Sequence, residues 1–330
     1  MDLSTSYLGF KLPHPFIVGA SPMIYKLDLV KRLEDAGAAA IVMHSLFEEQ
    51  IQHHQSGIEK HILSHENSYA EATSYFPQAQ AFHLGPDDYL AQVAKLKQTV
   101  NIPVIASLNG INEGTWVEWA KLIEQAGADA LELNLYFLPR SDEEPAGVIE
   151  QRCYQIVRMI KQFVTIPVAV KLSPYFTSLP HFARRLETAG ADALVLFNRF
   201  FQPDINIEEL ETVSHLELSN SSDLLLRLRW LAVLHGRMRL NLAVTGGVHT
   251  AQDAIKSVMA GADAVQMVSA LLQRGPSYLT EIRKHFETWM EEHEYTSLEQ
   301  MKGSMSYLHA PNPELLGRAN YMRILQSWKV

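Results

Sequence analysis

Two turns near the carboxyl end carry residues suited to gripping an anion. Thr245-Gly246-Gly247-Val248 sets two glycines together, where the backbone can approach a ligand that a Cβ would hold away. Thr250-Ala251-Gln252-Asp253 follows with the pattern of a capping box, so a helix opens there. Exposed N–H groups ahead of that helix, together with the end of its dipole, suit a phosphate. Met267-Val268-Ser269-Ala270 forms a second turn, and Ser269 adds a hydroxyl and its own N–H. The plainer alternative is a tight turn before an ordinarily capped helix. Agreement between two neighbouring loops favours the phosphate.

Lys171 is the second signal. It ends an apolar run, Val168-Ala169-Val170, where a lysine is poorly placed as a free surface cation and needs an anionic or polar partner. It could form a Schiff base, balance a carboxylate, or face the N1–C2=O edge of a flavin. The competing reading is an internal ion pair with Glu132, which has a similar strand position. Asn109, Asn134 and Asn198 are neutral donors and acceptors at comparable positions. Amides around one lysine suit a heterocycle edge better than a divalent metal, which wants more carboxylates. His61 and His65 have the i, i+4 spacing of two ligands on one helical turn, but no acidic partner stands at a motif spacing, so a solvated helix face is expected and no metal.

The elements that position these residues are legible from a repeat. The phrase Glu34-Asp35-Ala36-Gly37-Ala38 recurs in variant form around Gly127, Gly190 and Gly261, within 33–43, 123–133, 186–196 and 258–267. Each copy ends a helical pattern, sets Gly at a left-handed C-cap and enters a short apolar strand. Between the copies lie other short apolar runs, several opened by proline. The two sets predict eight strands near 16–20, 39–43, 103–107, 130–134, 167–171, 193–197, 241–245 and 263–267. Helices are expected over 26–36, 114–126, 148–163, 179–189, 222–235, 250–260 and 276–292. Eight β-then-α units describe an α/β protein built as a TIM (β/α)8 barrel. A doubly wound sheet is the rival, without a reason to repeat a strand pair four times. The chain reads as one domain, 1–330, with a long insertion at 45–100 that is a candidate lid and a carboxyl-terminal extension at 293–330. In that extension Tyr321, Leu325 and Trp328 have near-helical spacing, which points to core.

Composition narrows the class. A net charge of −9 argues against a broad nucleic-acid footprint. The single cysteine, Cys153, excludes an internal disulfide and a four-cysteine iron–sulfur cluster. The apolar runs fall short of a membrane span, and the start, Met1-Asp2-Leu3-Ser4, lacks the basic and apolar segments of a secretory leader. A cytoplasmic protein acting on a small molecule, away from membrane and nucleic acid, is expected.

Taken in order, these segments resemble the dihydroorotate dehydrogenase family of FMN barrels. The likeness rests on Leu8-Gly9, Pro15-Phe16 and Ala20-Ser21, on Glu132-Leu133-Asn134-Leu135, and on Val170-Lys171-Leu172-Ser173-Pro174. It continues in Thr245-Gly246-Gly247-Val248 and in the closing 262–271 stretch. The resemblance implies FMN over the carboxyl end of the barrel. Its phosphate would rest on Gly246, Gly247, Val268 and Ser269, and its ring would meet Ala20, Ser21, Ser45, Asn109, Asn134, Lys171 and Asn198. It also implies a homodimer.

The departures fall on the substrate half. The family's loop after the fourth strand reads Asn-Leu-Ser-Cys-Pro-Asn, and its Cys or Ser serves as the base. Here the loop reads Asn134-Leu135-Tyr136-Phe137-Leu138-Pro139, which puts Phe137 at the base position and Pro139 at the position of a substrate-binding Asn. Phenylalanine accepts no proton. His44 stands where the family often has Lys. Candidates for a replacement acid or base are Tyr136, His44, Ser141 and the histidines of the 45–100 insertion, with Lys171 as the catalytic cation; Tyr136 would serve only if a cation lowered its pKa. Arg140 could bind a carboxylate, although a surface role is the commoner one. The expected activity is an FMN-dependent oxidoreductase working on a CH–CH group, with a substrate that can differ from dihydroorotate. The alternatives are a flavin-free, phosphate-binding lyase or isomerase using Lys171, and a flavin-binding subunit without turnover.

Overall fold

The computed structural model describes residues 1–51, 85–110, 113–137, 141–199, 203–214 and 217–327. Its strands are β1 (Thr5–Tyr7), β2 (Phe10–Leu12), β3 (Phe16–Val18), β4 (Ile41–Phe47), β5 (Val104–Asn109), β6 (Ala130–Leu135), β7 (Val168–Leu172), β8 (Ala193–Leu196), β9 (Pro203–Asn206), β10 (Glu211–Ser214), β11 (Asn241–Thr245) and β12 (Ala264–Met267). Its helices are α1 (Leu27–Asp35), α2 (Pro86–Thr99), α3 (Glu113–Gln125), α4 (Ala146–Phe163), α5 (Leu179–Ala189), α6 (Leu224–Leu234), α7 (Ala251–Ala260), α8 (Ser269–Arg274), α9 (Tyr278–Glu292), α10 (Leu298–Met301) and α11 (Ala319–Ser327). Eight parallel strands close a barrel in the order β11-β12-β3-β4-β5-β6-β7-β8. The TIM barrel expected from the repeat is therefore present, and each of the eight predicted strands is in it.

The repeat has a physical purpose at both ends of its phrase. The recurring glycines leave their helices in the left-handed region, with φ of +94° at Gly37, +96° at Gly127, +102° at Gly190 and +117° at Gly261. The aspartate two residues after the glycine, in the last three copies, ties neighbouring strands together. Asp129 accepts the N–H of Val104 at 2.7 Å, Asp192 that of Val168 at 2.7 Å, and Asp263 that of Leu242 at 2.8 Å. Each carboxylate also meets a lysine: Lys97 at 2.7 Å, Lys161 at 2.8 Å and Lys302 at 3.0 Å respectively. The strand-opening prolines lose no bond here. Pro15, Pro103 and Pro167 contribute only their carbonyls, to Val265, Ile41 and Leu131.

The helices pack outside by the usual apolar stripe. In α5 the buried residues Leu179, Phe182, Ala183 and Leu186 fall at i, i+3, i+4 and i+7. Inside the barrel the lumen is narrow and lined by small residues, including Ala40, Ala130, Ala169, Ala193, Ala243 and Ala264. An amino-terminal hairpin of β1 and β2 inserts Tyr7, Leu8 and Leu12 into the same cluster and plugs the end away from the strand carboxyl termini.

Three expectations need revision. The 45–100 segment is not insertion throughout: its first residues extend β4 to Phe47, and Pro86–Thr99 forms α2, the helix of the second unit. That helix carries its acids in the first turn and its lysines near the end, and buries an apolar stripe of Tyr89, Val93 and Leu96. The histidines at 53, 54, 61 and 65 lie outside the described residues, as do Arg140 and Trp328. The last helix, α11, does not join the core: Tyr321 and Leu325 are 65% and 61% exposed, and Met322 and Ile324 are exposed beside them. Finally, a second hairpin, β9 with β10, follows the sixth barrel strand, where no element was expected.

Two glycines separate conformational strain from crowding. An added Cβ at Gly127 meets nothing closer than Lys97 Cγ at 3.8 Å, whereas at Gly261 it would lie 2.5 Å from the His235 ring. Gly127→Ala should cost about 1–2 kcal/mol for the left-handed backbone alone. Gly261→Ala should cost more, and urea denaturation midpoints of the two variants measure the difference.

Candidate active site

Strand alternation decides which side chains enter the lumen. Along β6 the inward set is Ala130, Glu132 and Asn134; along β7 it is Ala169 and Lys171; along β12 it is Ala264 and Gln266. The apolar members lie deep, and the polar ones follow toward the carboxyl ends. There Gln266 Nε2 donates to Glu132 Oε2 at 2.8 Å, spanning the lumen between β12 and β6, which are four strands apart. Lys171 Nζ donates to Glu132 Oε1 at 3.1 Å, with the lysine side chain 10% and the glutamate 1% exposed. The competing reading of Lys171, an ion pair with Glu132, is present, and the lysine also lines a cavity of about 480 Å³ at the barrel mouth. Beside it, Asn198 Nδ2 donates to Asn134 Oδ1 at 2.9 Å, which orients both amides.

The opposite wall of the cavity is the glycine turn. Gly246 and Gly247 have φ of +81° and +84°. A Cβ on Gly247 would lie 2.4 Å from the Leu224 nitrogen, so the turn tolerates only glycine. Ser219 enters from the segment ahead of α6. Its Oγ accepts the Gly247 N–H at 3.3 Å, donates to Ser269 Oγ at 2.9 Å and stands 3.1 Å from His249 Nε2. Burial holds the His249 imidazole below the usual histidine range, Asp253 working against it. The capping box is present as expected, but it consumes the helix end. Asp253 accepts from the N–H groups of His249 and Thr250, each at 3.0 Å, and from Ser221 Oγ at 2.7 Å. A carboxylate already occupies the α7 terminus, so the two turns, rather than that helix dipole, are what remains for an anion.

The sequence-derived residues distribute unevenly. Ala20, Lys171, Asn198, Gly246, Val268 and Ser269 line the cavity. Asn134 stands behind Asn198, and Gly247 behind Gly246 against α6. Ser45 bonds Ser107 across β4 and β5, Oγ to Oγ at 2.7 Å. Asn109 is buried at the end of β5, and Ser21 Oγ is buried without a hydrogen-bond partner among the described residues.

His44 takes a different place from the one alternation suggests. The β4–β5 register shifts between Val42 and Ser45, so Ser45 rather than His44 meets Ser107. The His44 ring packs between Tyr25, 4.1 Å between centroids, and Tyr89 of α2 at 5.2 Å. It is not among the residues lining the cavity. Tyr136 is partly exposed beyond β6, and burial, reinforced by Tyr175, holds its phenol above the ordinary tyrosine range. Phe137 packs against the core, with the Arg152 guanidinium 5.7 Å from its ring. Ser141 is exposed. Sequence reasoning missed Ser107, Ser219, Gln266 and Arg227. An arginine inside the apolar run Leu224-Leu225-Leu226-Arg227-Leu228 was a usable signal; Ser219 had none, because only folding brings its loop to the turn.

The dihydroorotate dehydrogenase family profile matches residues 81–290, more than half of the chain. The chain belongs to the dihydroorotate dehydrogenase family. It is 29% identical over 312 residues to the catalytic subunit of dihydroorotate dehydrogenase B (NAD(+)) of Thermoplasma volcanium, covering 92% of this chain and 98% of that one. It is 23% identical over 325 residues to the NAD-dependent dihydropyrimidine dehydrogenase subunit PreA of Escherichia coli, covering 92% of this chain and 76% of the relative. A putative dihydroorotate dehydrogenase A (fumarate) of Aeropyrum pernix is 30% identical over 220 residues, 64% of this chain and 70% of that one. Family membership makes the chain an oxidoreductase of the class acting on CH–CH groups, with FMN as cofactor. The residues present fit that cofactor: a glycine turn with no room for a Cβ, a buried lysine at the cavity wall and an unsatisfied Ser21 hydroxyl. Among the described residues no helix is long and apolar enough to cross a membrane.

Two measurements test the geometry. Lys171→Met leaves the buried Glu132 carboxylate without its cation and should destabilise the apoprotein by about 3 kcal/mol. Adding Glu132→Gln should recover part of that loss, so the double variant should fall short of the sum in a denaturation cycle. The raised Tyr136 phenol stays protonated throughout the neutral range. Tyr136→Phe should therefore leave the pH profile of flavin reduction unchanged below about pH 9.

Proposed function

We propose that the chain binds FMN at the barrel mouth and uses it to oxidise or reduce a C–C bond of a small molecule other than dihydroorotate. The carrying observation is one cavity shared by Gly246, Ser269 and Lys171, so that a phosphate site and a paired cation face the same space. Gly246, Gly247, Val268 and Ser269 would hold the phosphate. Ala20, Ser21, Ser45, Asn109, Asn134, Lys171 and Asn198 would surround the ring. Bound FMN supplies a two-electron acceptor. Lys171 would offset negative charge at the N1–C2=O edge of the reduced ring, and the Asn134–Asn198 pair would bond its heteroatoms.

The substrate half supports a change of substrate. Phe137 offers no proton acceptor, and a protonated Tyr136 is suited to donating a proton rather than taking one. The Lys171–Glu132 ion pair weighs against a neutral amine nucleophile, and so against Schiff-base chemistry. We further infer a cytoplasmic chain working in an assembly, a homodimer in the simplest case. Two relatives named as subunits support association.

Purified protein should carry flavin absorbance or take up added FMN. Anaerobic mixing with dihydroorotate should leave that absorbance largely intact, whereas a metabolite panel should contain a compound that changes it. Rapid bleaching by dihydroorotate would show that the argument from Phe137 is wrong. A colourless protein that takes up no FMN would sink the reading altogether.

A further inference from the structure

We propose that Arg227 is a charge-reading residue for a phosphate monoester, and that it makes this chain discriminate FMN from unphosphorylated riboflavin. The inference rests on the flavin reading above and adds a residue and a selectivity to it.

Arg227 lies in the first turn of α6 with its side chain under the glycine turn and is only 8% exposed. Nε donates to the Thr245 carbonyl and Nη1 to the Asp223 carbonyl, both at 2.5 Å. These bonds aim the guanidinium plane. The remaining nitrogen, Nη2, is the atom nearest Gly246, 2.8 Å from where a Cβ would stand, and has no acceptor among the described residues. Arg227 lines the same cavity as Gly246 and Ser269.

Its charge is only partly offset, by the more distant carboxylate of Asp223. Among the described residues no carboxylate lies within ion-pair distance of Arg227, although Glu217 and Asp223 line the cavity too. Arg199 lines it as well. Burial pushes the Arg227 guanidinium below the ordinary arginine range; attraction to Asp223 opposes it, and repulsion from Arg199 is a smaller downward push. Burying a guanidinium without an ion-pair partner is costly; it is stabilised once an anion arrives. A phosphate monoester resting on the Gly246–Gly247 turn supplies two negative charges and oxygens that suit a planar donor. Two carbonyl bonds and a vacant third donor suit an anion receptor better than a brace alone, which would use all its donors within the protein.

The phosphate could come from FMN or from a phosphorylated substrate, and the binding experiment separates them. Titrations of FMN, riboflavin and inorganic phosphate into the apoprotein, read by flavin fluorescence and by phosphorus NMR, give the affinities. Wild-type protein should prefer FMN to riboflavin. In Arg227→Gln that preference should shrink about tenfold to a hundredfold, with riboflavin affinity unchanged. Arg227→Lys should keep part of it, and the melting temperature of each apoprotein controls for folding. An unchanged FMN-to-riboflavin ratio in a folded Arg227→Gln protein overturns the proposal and leaves Arg227 a brace for the turn. If neither flavin binds but inorganic phosphate binds in an Arg227-dependent way, the flavin reading fails while the phosphate-reading role stands. If Arg227→Gln also leaves phosphate binding intact, that role fails too.

Discussion

A carboxylate buried in the lumen organises the catalytic end of this barrel. Glu132 is about as far from water as a side chain can be, and an unpaired charge there would be prohibitively costly. It is tolerated because Lys171 and Gln266 bond its two oxygens from β7 and from the far side of the lumen. The same arrangement fixes where Lys171 can stand. The cation cannot swing into solvent without abandoning Glu132, so it remains at the cavity wall. The geometry of the mouth thus follows from one electrostatic requirement one layer below it.

The other wall obeys a steric requirement. The Gly246–Gly247 turn lies against the start of α6 so closely that a side chain on Gly247 would enter the backbone of Leu224. That closeness brings Arg227 beneath the turn and Ser219 beside it. The proposed anion site is therefore a joint product of β11, α6, the segment before α6, and the turn after β12. The capped α7 terminus contributes its fold rather than its field, because Asp253 already fills it.

The family's cofactor platform and its substrate half come apart in this chain. The lysine, the paired asparagines and the glycine turn proposed to hold the cofactor are all present. The position that the resemblance assigns to the base holds Phe137, burial raises the pKa of the neighbouring tyrosine, and His44 packs between two aromatic rings. A cofactor site constrained by burial and backbone contact changes little when loop residues change. A substrate site made of loop side chains is free to change.

The amino-acid order alone determined the barrel. Four recurrences of a glycine-capped helix running into an apolar strand allow few other closed arrangements, because each left-handed glycine ends one element and starts the next. Their place at the ends of apolar runs likewise made Glu132, Asn134 and Lys171 legible as pocket residues. The place of His44 was not legible, since a single extra residue in β4 reverses every later side chain, and bulges leave little trace in sequence. Tertiary structure alone decided that Gln266 meets Glu132, that Ser219 reaches Ser269 and that Arg227 lies beneath a turn 18 residues away. Those contacts join strands or loops that only closure of the ring brings together, and no local spacing encodes a distance across a lumen.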